Sequence, residues 1–116
     1  MIKKENIVVE KSIDFALMVI EFSESLRDIH KYEMSSQIFR SGTSIGANIR
    51  EAQNAESKAD FIHKFKISAK EADELEYWLN LCDKSPFYPT PKIELHQELQ
   101  SIIKIMSKII SSSKKK

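Results

Sequence analysis

Apolar residues recur at steps of three and four through nearly the whole chain, which is the period of amphipathic helices and not of strands. Met34, Ile38, Gly42, Ile45, Ile49 and Ala52 line one such face, and Gln37, Arg40, Ser41, Ser44, Asn48 and Glu51 make a polar stripe beside it. Phe61, Phe65, Ala69, Ala72, Leu75, Leu79 and Cys82 form a second apolar stripe, and Leu95, Leu99, Ile102, Met106 and Ile109 a third. The first apolar segment is broader. Ile13, Ala16, Leu17 and Ile20 fall on one face, while Phe15, Val19, Phe22 and Leu26 fall on another. Ile103, Ile105 and Ile110 likewise widen the last stripe.

Punctuation between these stripes predicts helices at about 8–27, 33–55, 58–84 and 91–110, within a single domain of residues 1–116. Asn6 or Ser12 could start the first helix, and polar residues from Arg27 to Lys31 mark a turn. Ser57-Lys58-Ala59-Asp60 reads as a capping box, with the Ser57 hydroxyl on a free backbone N–H and Asp60 at the positive helix end. Pro86 ends the third helix. Thr90 reads as the N-cap of the fourth, with Pro91 at its first position, and the tail from Ser111 to Lys116 should fray. Nothing alternates with a strand-like period, so the expected fold is all-α: an antiparallel up-down-up-down four-helix bundle.

The two glycines of the chain, Gly42 and Gly46, both lie inside the second helical pattern. Each costs a helix about 1 kcal/mol relative to alanine, so the assembled molecule should need them. From Ser41 to Ala47 only Ile45 is large, which lets a neighbouring helix approach closely.

With 116 residues, 41% hydrophobic and 30% charged, the composition is that of a globular protein, and the net charge is only +1. A single cysteine, Cys82, excludes an intramolecular disulfide and suits a reducing compartment. The longest apolar run, Phe15 to Ile20, is too short for a membrane span. The expected location is the cytoplasm, without membrane association.

Catalytic chemistry finds little footing. Of the Glu-x-x-His pairs a di-metal carboxylate bundle requires, only Asp60-x-x-His63 comes close, and Asp60 is better used as a helix cap. His30 and His96 stand alone, and Cys82 ends an apolar stripe as a buried structural thiol would. The glycines do not follow a strand, so there is no phosphate loop. No enzyme activity, cofactor or metal site is expected.

Basic residues carry more. Lys58, Lys64, Lys66 and Lys70 cluster at the start of the third helix, Arg40 and Arg50 lie on the second, and Lys104, Lys108 and Lys114–Lys116 close the chain. Symmetric assembly would repeat such a patch around an axis until it engaged several phosphates. Arg40, Arg50, Lys58, Lys64, Lys66 and Lys70 are therefore the candidate nucleic-acid contacts. The alternative is a set of solvated helix faces, with Arg40 paired to Glu71, Glu74 or Glu76 across the helix interface. Ser44, Asn48, Glu74 and Trp78 read as a structural seam, Trp78 in the core or a subunit interface, with Phe87 and Tyr88 packed over the end of the bundle.

The run from Gln37 through Arg40-Ser41-Gly42-Thr43-Ser44-Ile45-Gly46-Ala47-Asn48 to Arg50-Glu51-Ala52 resembles the signature of a bacterial family of four-helix bundle proteins. They are related to proteins encoded in the intervening sequences of 23S ribosomal RNA genes. The likeness continues in Ser57–Phe61, in Lys70–Glu74 and in Tyr77-Trp78-Leu79. It implies a four-helix bundle assembled as a homopentamer, and no catalytic residues. A related branch, the accessory proteins of diversity-generating retroelements, binds nucleic acid and a reverse transcriptase through a basic barrel, from which this chain departs in its near-neutral charge. The leading expectation is a non-enzymatic oligomeric scaffold that contacts RNA or DNA, or an RNA-associated protein. The alternative is a protein-interaction adaptor that uses exposed apolar helix faces.

Overall fold

The computed structural model describes residues 3–115, with side chains from residue 7 onward. Four helices account for most of them: α1 (Lys3–Asp28), α2 (Tyr32–Ala52), α3 (Lys58–Lys84) and α4 (Ile93–Lys114). Among the described residues there are no strands, and the fold is all-α.

The helical stripes converge on one apolar core. Phe15, Val19 and Leu26 of α1 meet Ile38, Ile45 and Ile49 of α2, and Phe65, Leu75 and Leu79 of α3 meet Leu99, Ile102 and Met106 of α4. Helix α1 packs on α2 and α4, and α3 packs on α2 and α4; the diagonal pairs make no close backbone approach. Each pair is marked by its own contacts. Ser23 and Ser35 exchange hydroxyl-to-carbonyl bonds between α1 and α2, the shorter being 2.8 Å. The Ser68 hydroxyl donates to the Ile45 carbonyl oxygen at 2.8 Å across the α2–α3 interface. The Gln100 amide donates to Glu76 at 2.6 Å between α3 and α4, and Lys11 lies 3.2 Å from Glu98 between α1 and α4. The buried hydroxyls thus find acceptors, as burial requires.

At the small-residue stretch α1 lies close against α2. A Cβ at Gly42 would lie 2.4 Å from a Val19 methyl, and one at Gly46 would lie 3.1 Å from the Ser12 hydroxyl. The helix-propensity penalty of the two glycines is therefore tied to a backbone approach that an alanine at position 42 would block.

Helix ends follow local chemistry, in part differently from expectation. Ser57 caps α3, its hydroxyl accepting from the Asp60 N–H at 3.0 Å, while the Asp60 carboxylate accepts from the Glu56 N–H at 3.1 Å. Helix α1 begins at Lys3 instead of Val8 and runs straight through Asn6 and Ser12, because Ser12 turns its hydroxyl back onto the Val9 carbonyl and so interrupts nothing. Helix α2 ends at Ala52, three residues early, where Gln53, Asn54 and Ala55 switch to shorter-range turn bonds. Thr90 and Pro91 do not start α4. Pro91 is buried, Lys92 is extended (φ −61°, ψ 145°) and the helix begins at Ile93 without a side-chain cap. Helix α4 then continues to Lys114 where fraying was expected, held by Ile109 in the core and Ile110 packed against it. Lys116 lies outside the described residues.

Candidate functional site

The polar stripe of α2 is occupied internally. Ser44 donates to the Arg40 carbonyl oxygen at 2.6 Å and Asn48 to the Ser44 carbonyl oxygen at 2.8 Å, both within the helix. Arg40 reaches across to α3, bonding Glu74 and lying 3.5 Å from Glu71. The same Glu74 oxygen accepts from the indole N–H of Trp78 at 3.1 Å. Arg40, Glu74 and Trp78 therefore form one cross-helix unit. Glu76, the third partner considered for Arg40, faces α4 instead and takes the Gln100 amide.

The six candidate nucleic-acid contacts divide into two groups. Arg40 is engaged as above, and Lys64 pairs with Glu51 at 2.9 Å; that hydrogen bond and the Glu51 charge raise its pKa. Arg50, Lys58, Lys66 and Lys70 are exposed and make no ion pair among the described residues. Lys66 is the most informative of them. The Lys114 ammonium, from the last turn of α4, stands close enough to depress its pKa. Two like charges from different helices thus interact, and neither makes an ion pair among the described residues.

Features that could have carried catalysis are otherwise used. Cys82 is buried, and burial, reinforced by the charge of Asp83, pushes its thiol up to about 11, so it is not a thiolate at neutral pH. No group of three or more metal-ligating side chains converges among the described residues. His96 Nε2 lies 2.9 Å from an Asp83 oxygen, but out of line for a hydrogen bond. A recess of about 240 Å³ between α1 and α4, lined by Met18, Glu21, Phe22, Ser25, Lys92 and Leu95, is mainly apolar; its two charges point at each other, 3.9 Å apart. Among the described residues no helix is long and apolar enough to cross a membrane.

The surplus apolar face of α1 is exposed. Ile13 retains 49% and Leu17 60% of their accessible surface, while Ala16 and Ile20 beside them are half-buried. Residues 13, 17, 20 and 24 follow helical spacing, and at Glu24 this strip reaches Phe39 of α2, itself 46% exposed. Phe39 was not singled out in the sequence; it follows the core residue Ile38 and so falls off the stripe. The surplus of α4 behaves differently, since Ile103, Ile105 and Ile110 are partly buried against the core. Tyr88 also packs against the core, with the Lys31 ammonium 5.6 Å from its ring centroid. Phe87 does not pack over the end as expected: it is 73% exposed, because the Pro86–Phe87 turn projects it outward.

Comparison with known proteins gives these features a family. Residues 4–111 match the model of the 23S rRNA-intervening sequence protein family. A crystal structure at 1.70 Å of a protein of unknown function, from the S23 ribosomal protein family of Bacteroides thetaiotaomicron VPI-5482, is 44% identical. It aligns with a TM-score of 0.87 over 93% of this chain and 98% of that one. A comparison with curated proteins finds no match. With the family model covering all but the extreme ends of the chain, this protein belongs to the 23S rRNA-intervening sequence protein family.

Proposed function

We propose that the protein is a non-enzymatic oligomeric scaffold of the cytoplasm, an antiparallel up-down-up-down bundle assembled as a homopentamer that contacts RNA or an RNA-associated protein. The antiparallel order is supported by the contacts between neighbours, whose numbers fall on one helix as they rise on the other: Ser12 and Val19 oppose Gly46 and Gly42, and Glu76 and Asp83 oppose Gln100 and His96.

The observation that carries the scaffold reading is the exposed strip of Ile13 and Leu17, continued by Phe39. Fully burying a leucine or isoleucine contributes about 1.5–3 kcal/mol, so a partner surface that covers this strip has a substantial driving force. Contiguous apolar surface of this kind marks interaction faces. A pentamer, the order taken from the family resemblance, would cover it by repetition around an axis. The RNA reading draws on Arg50, Lys58, Lys66 and Lys70, which are exposed and free of ion pairs among the described residues, with Arg40 and Lys64 in structural roles instead.

A second reading, a protein-interaction adaptor without nucleic-acid binding, is favoured by Phe87 and Ile93. They stand 73% and 61% exposed around the α3–α4 connection, far from the basic cluster. Light scattering on a sizing column tests the scaffold: a five-protomer mass is expected, and a monomer at micromolar concentration overturns it. Retention of RNA at low salt favours the first reading, since the adaptor reading excludes it.

A further inference from the structure

The net charge of +1 conceals a strong segregation. Val19 lies against Gly42 and Ile45 bonds Ser68, so residues 7–15, 44–70 and 103–115 belong to one half of the long axis. That half carries ten lysines and arginines against five carboxylates, and the other half, residues 16–43 and 71–102, carries five against eleven. Within the basic half Glu51 is paired with Lys64 and Asp60 accepts from the Glu56 N–H, and Lys11 is paired with Glu98 across the boundary.

Resting on the RNA reading above, we propose that the basic half, along α3 as far as Lys70 and the close of α4, is a docking surface for an RNA phosphate backbone, with Lys66, Lys70, Lys108 and Lys114 as its principal contacts. All four are exposed and without an ion pair among the described residues. Lys66 and Lys114 converge from different helices, and the depressed Lys66 pKa reflects that unrelieved repulsion. A phosphate placed between them relieves it. A flexible polyanion suits exposed lysines without ion pairs, because each phosphate they neutralise releases condensed counterions.

The surface lacks the other half of a base-reading site. The exposed Tyr and Phe rings, Tyr32, Phe39, Tyr77 and Phe87, all belong to the acidic half, so among the described residues the lysines have only the His63 imidazole as an exposed ring beside them. Binding is therefore to the backbone and indifferent to sequence. In a cyclic assembly with the helices along the axis, every basic end would fall on one face, multiplying the contact.

The test is fluorescence anisotropy of labelled single-stranded poly(U) and poly(A) oligonucleotides with the full-length protein between 50 and 200 mM salt. Four phosphate contacts predict an affinity loss of about fifty-fold over that range, similar for both sequences. Lys66→Ala with Lys114→Ala should halve the salt slope, whereas Lys31→Ala with Lys92→Ala, at the acidic end, should leave affinity and slope within two-fold. Wild-type slope and affinity in the Lys66/Lys114 variant, or a loss only in the Lys31/Lys92 variant, overturns the assignment of this surface and leaves the RNA reading standing. No binding by the wild-type protein even at 50 mM salt overturns the RNA reading itself. A strong preference for one sequence overturns the backbone-only mode.

Discussion

His30 shows how a single residue can hold a local strain. It follows α1 with φ of 64°, in the left-handed region that favours glycine. Its N–H donates to the Arg27 carbonyl oxygen at 2.9 Å, and the Lys31 N–H donates to the Leu26 carbonyl oxygen, also at 2.9 Å. Together these close α1 as a glycine would at the same position. The imidazole meets Tyr32 alone among the described residues, through a 2.6 Å contact of Nδ1 with its hydroxyl and an edge-on approach of the rings, exposed to water. Holding a non-glycine residue there costs about 1–2 kcal/mol, and the extra freedom of an unfolded glycine offsets roughly 0.4–1 kcal/mol of the relief. His30→Gly should therefore stabilise the protein by about 0.5–1 kcal/mol and raise Tm by a few degrees in a thermal melt followed by circular dichroism. A fall in Tm, reproduced by Tyr32→Phe, would show that the Tyr32 contact outweighs the backbone strain.

At the scale of elements, the seam between α1 and α2 is closely packed, and its two glycines make unequal demands. An alanine at position 42 would put its methyl 2.4 and 2.8 Å from the two Val19 methyls, which are fully buried and stiff at χ1. Overpacking of this kind costs about 1–3 kcal/mol, against a helix-propensity gain of about 1 kcal/mol. Gly42→Ala should thus destabilise by up to about 2 kcal/mol in urea denaturation. Gly46→Ala, which meets Ser12 at 3.1 Å, should stay near the wild type. Val19→Ala combined with Gly42→Ala should cost less than the sum of the two, since the methyl gained fills space the valine vacates; strict additivity would place the origin of the Gly42 requirement elsewhere. That a close approach existed was legible in the sequence from the run of small residues between Ser41 and Ala47, but not which helix made it. The helix ends divide in the same way. Ser57 and Asp60 cap α3 with bonds that lie within a few residues and so can be read locally, whereas Pro91 is diverted from its local preference by burial, a tertiary effect. For the candidate contacts, exposure and pairing depend on the facing helix. Nothing in the spacing of α2 alone distinguishes Arg40, held by Glu74 of α3, from Arg50, which makes no ion pair among the described residues.

For the whole molecule, the question is what covers Ile13 and Leu17. Their neighbours in sequence separate cleanly: Ser12, Phe15 and Val19 turn inward, and Ile13 and Leu17 turn out, so the two apolar faces of α1 do different work. If the outer face is a subunit contact, its loss should dissociate the assembly and leave the protomer core, to which neither residue contributes, intact. Ile13→Glu with Leu17→Glu places two carboxylates in the proposed contact, and burying an unpaired charge there would cost several kcal/mol per site. The expected result is a fall in mass by light scattering to that of one protomer, with helical content by circular dichroism preserved. Stability should respond as well. A protein stabilised by self-association has a Tm that rises with concentration, so the wild type should show that dependence and the double variant should lose it. Phe87→Glu supplies the control, because Phe87 is more exposed than either residue but lies on the connection between α3 and α4; it should leave the mass unchanged. Wild-type mass in the Ile13/Leu17 variant, or dissociation caused by Phe87→Glu instead, would move the subunit contact away from the outer face of α1.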